Sequence, residues 1–106
     1  MLGGAGAGRR VESHRRVEDE IRREKAAALG RAGERLETAI AETRELATRL
    51  DTTSDPAERA ELLSAYEAAR RRALAARQAL LIQREAIGLR NHRTVDQLFP
   101  EPPPRV

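Results

Sequence analysis

One short segment, Asp51 to Pro56, divides an otherwise uninterrupted helical pattern and so dictates how the chain folds. Ser54 or Asp55 can accept the free amide hydrogens at the start of a new helix. Pro56 suits a first helical turn, and Glu58 adds favourable negative charge there. On either side the apolar residues recur at coiled-coil spacing. Before the break, Leu36, Ile40, Thr43, Ala47 and Leu50 step by 4, 3, 4 and 3. After it, Leu62, Tyr66, Ala69, Ala73, Ala76, Leu80, Gln83 and Ile87 continue the same rhythm.

Doubling back at residues 53 to 56 pairs positions whose numbers sum to about 109. The layers expected are Ala47 with Leu62, Thr43 with Tyr66, Ile40 with Ala69, Leu36 with Ala73, Gly33 with Ala76, and Leu29 with Leu80. Large side chains mostly meet small ones, which lets two helices approach closely. Glu37 and Arg70 fall at the flank of this seam as an expected ion pair. The fold class is therefore all-α: a long antiparallel two-helix hairpin, coiled-coil-like. Helix 1 is expected over about 9–50, the turn over 51–55 and helix 2 over about 56–91. Gly88 and Asn91 are the candidate terminators. A flexible Gly-rich segment, 1–8, precedes the hairpin. A short turn capped by Thr94, followed by a Pro-rich tail, fills 94–106; the prolines impose an extended polyproline conformation.

Composition sharpens the argument. Of 106 residues 40% are hydrophobic, with one Tyr, one Phe and no Trp, so the seam is built largely of alanine. Fixing each helical residue costs about 1–2 kcal/mol in backbone entropy. A lone hairpin with so thin a core is marginal, and self-association or a protein partner is the expected remedy. Leu63, Leu74 and Leu81 fall off the seam, with Ile82 and Leu89. A two-helix hairpin has no third element to cover them, which points to a second interface. Val95, Leu98, Phe99, Pro100, Pro102 and Pro103 form a second candidate partner-binding segment of the kind that grooves recognise. Two fates are open for it. Docking in trans predicts that deleting 94–106 leaves helicity intact; capping the open end of the hairpin near Val11, Val17 and Ile21 predicts that helicity falls.

The net charge of +3 is carried almost wholly by arginine, Lys25 being the sole lysine. Arg70, Arg77 and Arg84 repeat every seven residues, and Arg71 and Arg72 widen the stripe. Such a ridge can neutralise phosphates, which gives nucleic-acid binding as the alternative function. Against it, no aromatic platform is available for stacking on bases, and long arginine stems commonly cover apolar area on a solvated flank.

Catalytic and metal chemistry are not expected. Without cysteine there is no disulfide, thiolate nucleophile or cysteine zinc site, and the chain suits a reducing cytoplasm. His14 and His92 fall at one level of the hairpin but on outward positions. No glutamate is followed three residues later by histidine, as di-iron bundles require. Ser13, Ser54 and Ser64 are the only serines; Ser54 is explained by capping, and none sits in a nucleophile elbow. The Gly-rich start lacks the apolar core of a secretory signal, and no apolar run approaches the ~20 residues of a membrane span. The resulting expectation is a cytoplasmic, non-enzymatic structural or adaptor subunit without cofactors. It would self-associate or join a larger complex through helix 2 and the tail.

Overall fold

The structure, a computed structural model, describes the backbone of residues 3–106 and the side chains of residues 8–106. It is an antiparallel helical hairpin of α1 (Gly3–Thr52) and α2 (Pro56–Ala86), followed by a short α3 (Arg93–Leu98). The expected flexible segment at 1–8 falls partly outside the described residues; from Gly3 the backbone is already α1. No described helix is long and apolar enough to cross a membrane.

Local chemistry accounts for both ends of α2. Asp55 takes the capping position, and its Oδ1 accepts the Ala57 amide at 3.3 Å. Thr53 Oγ1 accepts the Asp55 amide at 3.4 Å, which stiffens the turn. At the other end α2 stops at Ala86, five residues short of the expected limit, because Gly88 adopts a left-handed conformation with φ +90°. The Leu89 amide then donates to the Arg84 carbonyl at 2.9 Å, and the Gly88 amide to Glu85 at 3.0 Å. These paired bonds close the helix in a Schellman motif, which glycine alone enters without strain. Thr94 is not the cap of α3: that position belongs to His92, while Asn91 Oδ1 accepts the Arg93 amide at 2.9 Å.

The seam runs over the expected stretch of both helices but is wider on α1. Ala32, Leu36, Ala39, Ile40, Thr43, Leu46 and Leu50 are buried. Six of them (32, 36, 39, 43, 46 and 50) step by 4 and 3, so Ala39 and Leu46 complete a stripe that the apolar pattern assigned to Ile40 and Ala47. Leu62, Tyr66, Ala69, Ala73 and Leu80 face them from α2. Thr43, the one buried polar residue among those described, donates its hydroxyl to the Ile40 carbonyl at 2.7 Å and so enters the core satisfied. Beyond Leu80 the seam fails: Ile87, expected within it, is exposed where α2 has ended.

The helices differ greatly in length, and this sets the overall shape. At about 1.5 Å per residue, the 50 residues of α1 extend about 75 Å and the 31 of α2 about 46 Å. Joined at the turn, α2 accompanies only the C-terminal part of its partner. The rest of α1 projects alone, and the molecule measures 84 × 23 × 15 Å.

Candidate functional site

The Schellman turn reverses the chain, and everything after it returns along the hairpin toward residues 51–55. Val95 is buried in the cluster formed by Ala32, Leu36, Ala39, Ile40, Ala73 and Leu80; Phe99 and Leu81 pack against that cluster half-buried. Beyond Phe99 an extended strap, Pro100 to Val106, lies in the groove between α1 and α2. Its walls include Ile40, Thr43, Arg44, Ala47 and Tyr66. The tail is thus the third element that a two-helix hairpin was expected to lack.

One face of α2 holds the strap through its main-chain oxygens. Arg77 Nε donates to the Phe99 carbonyl at 3.0 Å, Arg70 Nε to Pro102 at 2.8 Å, the Tyr66 hydroxyl to Pro103 at 2.6 Å and Arg59 Nη2 to Val106 at 3.0 Å. Arg84 Nη2 meets the Asn91 carbonyl at 3.0 Å where the return begins. These donors suit their target, because proline carries no N–H and offers the backbone carbonyl as its only hydrogen-bonding group. Charged pairs secure the margins. Arg77 pairs with Asp96 and lies 3.6 Å from Glu101. Arg105 pairs with Asp51 at the far end and sits 6.0 Å from the Tyr66 ring centroid. The hydrogen bond to Asp51 holds the Arg105 guanidinium above its ordinary pKa, with burial acting in the opposite sense.

The candidate partner-binding residues therefore divide. Val95 and Pro102 are buried within the chain's own fold, and Phe99 half-buried. Leu63 is half-buried against the cluster of Leu46, Leu50, Leu62, Tyr66 and Ala69. Leu74 and Leu81 are also half-buried, while Pro100 and Pro103 stay exposed. Leu98, one of the candidate partner-binding residues, is 59% exposed. Val95 and Phe99, four residues apart, take the inner side of α3 and turn Leu98 outward. The end-cap arrangement is not formed either, since Val11, Val17 and Ile21 remain exposed. The reversal at Gly88 seats Val95 beside Leu36 and Leu80, well inside the hairpin.

The five arginines of the alternative nucleic-acid stripe all have partners within the chain. Arg70, Arg77 and Arg84 bind carbonyls of the returning segment. Arg71 lies 3.8 Å from Glu67 and Arg72 2.6 Å from Glu42. Arg70 turns to Pro102 and not to Glu37. The sequence holds donors spaced by seven on α2 and a tail with few donors of its own, but nothing in it that joins the two.

His14 and His92 do not meet. His14 lies 2.9 Å from Glu18 on the exposed part of α1, and His92 turns to Glu85 at 2.9 Å. Among the described residues no three metal-ligating side chains gather. A concavity of about 520 Å³ lies away from the strap and is lined by Arg31, Glu34, Arg35, Thr38, Ala39, Glu42, Arg72 and Ala76. It is open, and its mixed charges converge on no single point.

The most exposed helical surface is the projection of α1. Every residue from Gly8 to Ala27 is exposed. Val11, Val17 and Ile21 are 50%, 52% and 44% exposed. Val17, Ile21, Ala28 and Ala32 step by 4, 7 and 4, so the stripe that is buried at Ala32 continues uncovered along the projection. The chain matches no protein-family model, no curated protein and no solved structure.

Proposed function

We propose that the protein is a non-enzymatic structural or adaptor subunit that docks a partner protein along the projecting half of α1. The observation that carries this reading is the run of exposed residues from Gly8 to Ala27, across which the seam's apolar stripe continues without a cover. A helix of this length standing alone in water is only marginally stable, because most helical stability in proteins comes from packing an apolar face. Here the helix is supported by its own ion pairs, such as Arg22 with Asp19 at 3.5 Å, and these contribute only a few tenths of a kcal/mol each.

Charge favours a protein partner over a polyanion. Residues 9–25 interleave seven cations with five carboxylates. A phosphate-tracking surface gains from a continuous basic run. A helix bearing complementary charges on either side of an apolar stripe gains from alternation. The docking surface thus lies on α1, whereas Leu63 and Leu81 of α2 are largely occupied within the fold.

Hydrogen exchange on the isolated chain and on the chain with its captured partner tests this. Amides of residues 9–27 should exchange rapidly alone, and residues 32–50 slowly. On binding, protection should extend toward Val11, and Val17→Glu with Ile21→Glu should abolish binding while leaving the urea midpoint unchanged. Slow exchange throughout 9–27 in the isolated monomer would contradict the reading.

A further inference from the structure

The strap's mode of attachment carries an inference of its own. Arg59, Tyr66, Arg70 and Arg77 all project from one helix and all donate to main-chain oxygens. Contacts of this kind read an extended chain with little N–H content, and few of them read side-chain identity. The side-chain anchors are Val95 and Phe99 in the cluster and Pro102 in the groove. α3 itself makes no close backbone approach to α1 or α2 and is held through the Val95 side chain, with Phe99 just beyond it. Its only covalent connection to α2 is the exposed turn around Gly88 and Asn91.

We propose that this groove is a binding site for an extended proline-rich chain and that a second copy of the protein can fill it, so that two hairpins exchange straps. The strap is the one ligand whose fit is already on view, and every contact it makes in its own groove is available in a neighbour's. Exchange therefore changes only the path of the turn and the concentration dependence. Closure within one chain has a high effective concentration, so exchange rises with protein concentration or when closure is impaired. The exposed apolar groups favour a second copy over an unrelated peptide. Ile82, Ile87 and Leu89 lie before or in the turn and Leu98 just after it, all uncovered. Two turns running past each other bring these side chains together, whereas a foreign peptide leaves them bare.

Complementation between two full-length variants tests the proposal and leaves the α1 projection unaltered in both. Arg70→Ala with Arg77→Ala keeps a sound strap but weakens the groove. Pro102→Asp keeps a sound groove but cannot bury its strap. Sedimentation and native mass measurement should find each variant monomeric alone. Their equimolar mixture should form a one-to-one heterodimer at least about tenfold tighter than either self-association, since only there does a sound strap meet a sound groove. Circular dichroism confirms that each copy is helical; if the double alanine variant is not, Arg70→Gln with Arg77→Gln replaces it. A mixture that stays monomeric overturns the proposal. So does equal association when Pro102→Asp is combined with Arg70→Ala in one copy, because the contact then lies elsewhere.

Discussion

Tyr66 shows how much a single side chain contributes to this fold. Its ring is buried in the seam, and its hydroxyl reaches out to the Pro103 carbonyl. The same residue therefore belongs to the hairpin and to the strap. Tyr66→Phe keeps the ring and removes one hydrogen bond, so the expected loss is about 0.5–1.5 kcal/mol in a urea titration, with unchanged helix content before the transition. An unchanged midpoint would mean that the strap is not bound there. Gly88 is the second residue of this kind. Its φ of +90° costs a residue with a Cβ about 1–2 kcal/mol, so Gly88→Ala should lower the midpoint by a comparable amount. The nearby space is open, so the effect comes from backbone conformation and not from a clash.

At the level of elements, the hairpin was legible because its determinants are local. The Asp55–Pro56 start and the 4–3 spacing on both sides operate within a turn or two of helix, and the two patterns fix one register between them. The return of the tail was not legible. Prolines announce an extended conformation but not a destination, and the arginines at 70, 77 and 84 look alike whether they face phosphate, solvent or carbonyl. What decided the outcome was the reversal at Gly88, which places donors and acceptors 22 to 47 residues apart side by side. The same absence of a third element in the sequence reading made Leu81 look unpartnered, whereas Leu63 is half-covered by the hairpin itself. Two element-level predictions follow from local physics. Asp55→Ala should cost about 0.5–2 kcal/mol through loss of the cap. Gly30 and Gly33 lie within α1 with nothing near a would-be Cβ, so Gly30→Ala and Gly33→Ala should each stabilise by about 0.8–1 kcal/mol in thermal melts.

As a whole molecule, the protein is a rod with two regimes. Near the turn, three segments share a thin core of mostly small side chains. Away from it, one helix projects alone. Stability should be divided accordingly, with the strap supporting the first regime and leaving the second untouched. Ending the chain after His92 removes buried Val95 together with Phe99 and Pro102, and should lower the unfolding free energy by at least about 2 kcal/mol. The tail lies in the groove beside the only tyrosine. That uniqueness makes it directly readable: a nuclear Overhauser spectrum of the dilute, monomeric full-length chain should show contacts from the Tyr66 ring to protons of Pro102 and Pro103. A Tyr66 ring in contact with α1 side chains alone, with the proline resonances sharp and free of cross-peaks to the hairpin, would contradict the account.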